Sequence, residues 1–342
     1  MRIALVHQAV GADATPGDLD VLDQVRPIDR ALVELGHQTT VLPCTLDLEA
    51  MRAGLLELRP DVVFNLVESL GGSDWLMLLF PALLDTLGIP YTGSSTTAMF
   101  LSTHKLVAKE QMGLTGVPTP AAKRVGASGR LESLGTCDMP AAECSWIIKT
   151  AAEHASFGLD GDCVCHNPTD ELLLKRIVEH SARLGRPCFA EQYIDGRELN
   201  MSLLGSPDGP KMLPPSEIEF TSFPPGKPRV LGHAAKWNED SFEFHGTPRT
   251  FAFAETDRPM LDQACDVSRR CWDIFGLRGY TRIDLRVDAA GQPYVLEINA
   301  NPCLTPGCGF PWAAEEAGMD YRTLIERILA ESCGTAAPGC VR

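Results

Sequence analysis

The first hundred residues alternate short apolar runs with longer segments of helical period. Residues 2–7 read as a strand, 21–35 as a helix closed by Gly36, 39–42 as a strand, 46–58 as a helix, 61–67 as a strand and 74–87 as a helix. Such alternation predicts βαβ units and a parallel sheet covered on both faces. The loop after the third strand, residues 68–74 beginning with Glu68, lies where these sheets usually bind ligands. From residue 105 the pattern changes. A short helix over 105–112 is stopped by Gly113, a strand follows at 146–149, and an amphipathic helix over 170–184 has Thr169 as its cap. A strand at 188–194 leads into an antiparallel region from 198 to 300, interrupted by a helix over about 257–275. The class is therefore α/β followed by α+β. The Gly-, Ala- and Pro-rich tail, 333–342, reads as disordered.

One hairpin carries chemistry. Arg282-Ile283-Asp284 and Glu297-Ile298-Asn299 flank the segment DAAGQP at 288–293, and both flanks alternate polar with apolar. A two-residue turn at Ala290-Gly291 would pair 289 with 292, 288 with 293, and therefore Asp284 with Glu297 and Arg282 with Asn299. The side-chain period of two then puts all four on one face. Carboxylates directly across a strand pair repel, and a bound divalent cation removes the conflict. Two carboxylates and an amide oxygen, with other positions left to water and phosphate, are how Mg²⁺ is held beside a nucleotide. The alternative is a solvated polar face.

Charge and composition narrow the partners. The 342 residues carry a formal net charge of −15, which disfavours nucleic acid or an anionic membrane as partner. Twelve cysteines are scattered without a Cys-x-x-Cys spacing, and no apolar run is long enough to span a bilayer. The opening MRIALVH reads as a first strand without a signal peptide, so a cytoplasmic chain with reduced thiols is expected.

An anionic ligand then needs lysines gathered locally. Lys149 ends an apolar strand and opens TAAEHASFG at 150–158, whose small residues, Ser156 among them, let backbone N–H groups approach phosphate. Lys105 and Lys236 are uninformative alone. The segment EQYIDGRE, 191–198, puts an acid at each end of a strand-turn-strand, where acids can accept from an adenine amine and from ribose hydroxyls.

The order of these pieces resembles the ATP-grasp superfamily and, within it, the D-alanine–D-alanine ligases. The matching segments are PYTGS (90–94), HKL (104–106), WIIK (146–149), EQYIDGRE (191–198), AKW (235–237), GYTRID (279–284) and LEINANP (296–302). The resemblance covers residues 1–332. It implies an ATP-grasp fold with a Rossmann-like parallel-sheet domain at 1–100, a central subdomain at 101–195 and a metal-bearing subdomain at 196–332. It also implies ATP phosphates on Lys105, Lys149 and Ser156, adenine held by Glu191, Tyr193 and Ile194, and ribose on Glu198. Lys236 would reach the γ-phosphate, and Arg282 would orient the carboxylate or acyl phosphate. Asp284, Glu297 and Asn299 would hold two Mg²⁺, with Mn²⁺ as the alternative ion.

Departures fall mainly on the substrate side. Where the ligases have a Gly-Gly loop and a glutamate for the first substrate's amino group, HQAVG (7–11) leads to a long acidic loop, with Asp20 or Asp23 as replacement. The serine usual at the second substrate's carboxylate falls at Cys308, beside Gly307, and the phosphate loop has Ala155 where serine is usual. The expected activity is an ATP-dependent carboxylate–amine ligase acting through an acyl phosphate and releasing ADP and phosphate. Its substrates are a small carboxylate and an amine, among amino acids or related acids. An authentic D-alanine–D-alanine ligase and a non-catalytic ATP-binding regulatory protein stay as alternatives, as does a homodimeric assembly.

Overall fold

The structure is a computed structural model that describes residues 1–11, 16–134, 144–152, 158–159 and 162–333. Its first sheet has three parallel strands in the order Gln38–Cys44, Arg2–Gln8, Val62–Leu66. The central strand is covered on both faces, which explains its unbroken apolar run. Ile3 and Leu5 pack with Val21, Ile28 and Leu32 of the helix Pro16–Glu34. Ala4 and Val6 meet Met51 and Leu55 of the helix Leu48–Leu58. The first helix starts five residues before the expected position, with proline tolerated in its first turn. Asp20 therefore stands on the helix and not in the loop before it, while Asp23 lies on the helix as expected. The segment expected as one helix over 74–87 is a 3₁₀ turn, Asp74–Leu78, followed by the helix Leu79–Leu87.

Two antiparallel sheets follow. One runs Leu131–Leu134, Ala122–Val125, Cys188–Gln192, Trp146–Thr150, Val164–Cys165. The other runs Arg249–Thr250, Ser216–Ile218, Arg197–Leu204, Tyr280–Val287, Pro293–Asn299. They are joined by a hinge at Tyr193–Gly196, so the strand expected over 188–194 ends at Gln192. Gly196 is required there, because a Cβ would lie 1.9 Å from the Val287 carbonyl oxygen. The first sheet docks on the last through a second close approach. Gly279, at φ +69°, leaves only 2.9 Å between a built Cβ and Gly93 Cα.

The hairpin reaches the expected pairing by a different route. Its turn is longer than two residues: Asp288 Oδ1 accepts from the N–H groups of Ala290 and Gln292, and Gly291 sits at φ +83°. Val287 therefore faces Pro293, one position away from the expected register. A bulge between Asp284 and Leu285 restores the lost residue, so Asp284 faces Glu297 and Arg282 faces Asn299. At the other end, the helix Tyr321–Cys333 takes in the first residue of the expected tail. Residues 334–342 lie outside the described residues, as do Ala155 and Ser156.

Candidate active site

The floor of the site is a row of polar side chains across three neighbouring strands. Asn200, Asp284 and Glu297 are consecutive partners in register. Asp284 accepts four hydrogen bonds: Arg282 Nε at 2.7 Å and Nη2 at 2.9 Å, Asn200 Nδ2 at 2.8 Å, and Asn299 Nδ2 at 3.0 Å. Glu297 Oε1 is 3.1 Å from Lys105 Nζ, which arrives from the first residue of the helix Lys105–Thr115. Burial works against the Arg282 charge, but the Asp284 carboxylate outweighs it and raises the guanidinium's affinity for its proton. The facing carboxylates are thus compensated by an arginine and a lysine. The donor set of two carboxylates and one amide, which a flip turns oxygen-inward, fits a hard divalent cation sharing its remaining positions with phosphate. Among the described residues no group of three or more His, Cys, Asp or Glu forms a rival metal site.

Glu191 has partners the sequence did not suggest. It is 1% exposed, with Lys109 Nζ 2.8 Å from Oε1 and Lys149 Nζ bonded to Oε2. Burial pushes its carboxyl up, but the two ammonium groups outweigh that and hold it below the ordinary range. Beside the adenine role expected of it, this carboxylate fixes Lys149. Lys109 is itself anchored on Thr119 Oγ1 at 2.7 Å and the Pro120 carbonyl at 2.8 Å.

At the hinge, Ile194 is buried and the Tyr193 hydroxyl accepts from the Arg229 N–H at 2.8 Å. Beside it lies a cavity of about 340 Å³ lined by residues including Tyr193, Phe223 and Arg229. Glu198 Oε2 accepts from Arg286 Nη2 at 2.7 Å, and Arg286 also donates to the Gly196 carbonyl at 3.0 Å. Sequence reasoning missed Lys109, Arg286 and Asn200. Arg286 alone left a signal, a charged residue on the same alternating face as Arg282 and Asp284.

Lys236 sits on the short helix His233–Trp237 and is half-buried. Burial, then the Arg282 guanidinium, lower its pKa, while Glu297, Asp284 and Glu198 oppose.

At the opposite end the helix Pro16–Glu34 brings Asp20 to Cys303, with Oδ2 3.3 Å from Sγ. Burial raises the Asp20 carboxyl above its ordinary range. Asp23 points away, with its side chain 64% exposed near Arg26. Glu68 accepts from Gln24 Nε2 at 2.7 Å, and its charge is felt by Tyr280 and Cys303. Gly307, at φ +88°, turns the chain so that Cys308 caps the helix Gly309–Glu316. The neighbouring Cys303 thiol lowers the Cys308 pKa, against burial and Asp20, while its own rises.

A family model described as "D-ala D-ala ligase C-terminus" matches residues 139–330. The chain belongs to the D-alanine–D-alanine ligase family. A D-alanine–D-alanine ligase of Gloeobacter violaceus is 29% identical, covering 97% of this chain and 99% of its own. One of Methylococcus capsulatus is 31% identical over 82% of this chain and 81% of its own. An uncharacterized protein, y4sG, of Sinorhizobium fredii is 32% identical over 87% and 84%. The Bacillus anthracis D-alanine–D-alanine ligase complexed with ATP superposes with a TM-score of 0.70 over 97% of both chains, at 20% identity, so the fold is that of the ATP-grasp ligases.

Proposed function

We propose that this family member is an ADP-forming carboxylate–amine ligase whose nucleotide and metal lie on the hairpin floor between the two antiparallel sheets. The observation that carries the reading is the facing Asp284–Glu297 pair, met by Arg282 from its own strand and by Lys105 from a separate helix. Asp284, Glu297 and Asn299 would hold Mg²⁺, which supplies positive charge at the β- and γ-phosphates. Lys105 and Lys149 would contact phosphates, Glu198 the ribose, and the backbone at Tyr193–Ile194 the adenine. The hinge at 193–196 would separate the two nucleotide-binding subdomains.

The chemistry follows from what amide formation needs in water. A substrate carboxylate oxygen bonds to the γ-phosphorus, and ADP departs. An amine then attacks the acyl carbon, phosphate leaves, and the amine loses a proton. Lys236 and Arg282 neutralise charge on the transferring phosphoryl group, and Arg282 on the oxyanion that follows. A segment closed around Lys236 would exclude water from an acyl phosphate that would otherwise hydrolyse. The substrate end differs from the usual ligase pattern at Cys308 and Asp20, so the substrate pair is read as other than two D-alanines.

The test is phosphate release from ATP and Mg²⁺ across a panel of amino acids and carboxylic acids offered in pairs. Release that depends on both members of a pair supports the reading. Brisk D-alanyl-D-alanine synthesis, at kcat/KM of about 10⁴ M⁻¹s⁻¹ or above, would restore the cell-wall substrate. ATP binding without turnover on any pair would favour the regulatory alternative.

A further inference from the structure

Arg249 reaches the floor from outside the hairpin. It opens the edge strand Arg249–Thr250, facing Ile218, and its side chain crosses toward the floor. Nη2 donates to Asn200 Oδ1 at 3.3 Å. A Cβ built on Gly309 would lie 3.0 to 3.1 Å from Nη2, Cζ and Nη1, so the guanidinium rests against the first turn of the helix Gly309–Glu316. A side chain there would press on it.

This arginine lacks the carboxylate partner that three others have. Arg282 holds Asp284, Arg286 holds Glu198, and Arg197 holds both Glu217 and Asp257. Among the described residues Arg249 makes no ion pair, and its Nε is buried without a hydrogen-bond partner. A guanidinium withdrawn from water without a counter-charge is destabilising until an anion arrives. Burial and then Arg282 weaken its hold on its proton, with Asp284 and Cys308 opposing. The charge thus stands between the metal floor and the Cys303–Cys308–Asp20 end.

We propose that Arg249 is a specificity-determining residue that takes a substrate carboxylate other than the one activated by ATP. The proposal rests on the ligase reading and adds a residue to it: a guanidinium by which the site tells an amino acid from the simple amine lacking its carboxylate. The planar fork suits a carboxylate held by two N–H groups, and the helix turn at Gly309 adds favourable backbone dipoles. The nucleotide phosphates have their own cations in Lys105, Lys149 and Lys236, which favours the substrate as source of this anion.

The experiment follows thermal unfolding of the protein with ADP and Mg²⁺ while single compounds are added. Glycine, both alanines, serine and glutamate are compared with methylamine, ethylamine and ethanolamine. At least one amino acid should raise the melting temperature where its decarboxylated counterpart does not. Arg249→Gln should weaken that binding about tenfold or more, and Arg249→Lys, which keeps charge but loses the fork, should fall between. Stabilisation of each variant by ATP and Mg²⁺ as in the wild type shows that the fold and nucleotide site survive. The proposal is overturned if no amino acid shifts the wild type, if the simple amines bind equally well, or if Arg249→Gln responds as the wild type does. It is equally overturned if Arg249→Gln loses its ATP response, which would assign the guanidinium to phosphate. Failure of the ligase reading would show separately, as absent ATP stabilisation in the wild type.

Discussion

Glu191→Gln probes the deepest charge cluster in the molecule. The substitution preserves shape and removes the one carboxylate shared by Lys109 and Lys149, whose side chains are 1% and 12% exposed. Lys149 can turn toward solvent. Lys109 cannot, and retains its bonds to Thr119 and the Pro120 carbonyl. Removing one partner of a buried pair costs about 3–5 kcal/mol, and the lower end applies because Lys109 retains two acceptors. At roughly 2 °C per kcal/mol for a protein of this size, the melting temperature should drop by about 6 °C. Lys109→Met should cost less, since Glu191 keeps Lys149. The pH dependence carries a sign. The Glu191 carboxyl titrates below its ordinary 4.5 in the folded protein, so its stabilisation is complete above about pH 4.5 and is lost as pH falls through the lowered value. The gap between wild type and variant should hold from about pH 8 to 5 and close in more acid solution. A Glu191→Gln protein within about 1 kcal/mol of wild type by urea unfolding, or a gap indifferent to acid, would refute the reasoning.

Three further outcomes are expected. Glu297→Gln should lower turnover by roughly 10² or more, about 3 kcal/mol of transition-state stabilisation; full activity with Mg²⁺ retained would rule out the metal assignment. Lys149→Ala should reduce the ATP-dependent rise in melting temperature, and a protein stabilised by millimolar GTP but not ATP would contradict the adenine pocket. Gly196→Ala, whose Cβ meets the Val287 carbonyl at 1.9 Å, should destabilise by about 1–3 kcal/mol and loosen nucleotide binding; a thermally unchanged variant would show that the hinge can yield.

Much of the architecture was legible because one physical rule governed each stretch. The run IALV at 3–6 is apolar on both faces because helices cover both sides, and the alternation around Ile283 and Ile298 marks strands with one polar face. The facing of Asp284 and Glu297 was legible too, though through two compensating differences. The turn is one residue longer than Ala290-Gly291 implies, and the bulge beside Asp284 corrects it. Neither leaves a clear local signal, whereas the polar face does. What stayed hidden depends on contacts distant in sequence. Lys109 reads as a surface lysine of a short helix until Glu191, 82 positions later, folds onto it. Arg249 lies in a stretch without periodicity, and Cys303 next to Cys308 became a pair only when the chain turned at Gly307.

The central claim is that a carboxylate is activated as an acyl phosphate on the Asp284–Glu297 floor. The most direct measurement uses the best donor from the paired panel, labelled with ¹⁸O in both carboxylate oxygens, with ATP, Mg²⁺ and the matching amine. Inorganic phosphate should carry one ¹⁸O and the amide should retain one. Unlabelled phosphate, with both labels still in the donor, would mean that water attacks ATP and would contradict the account.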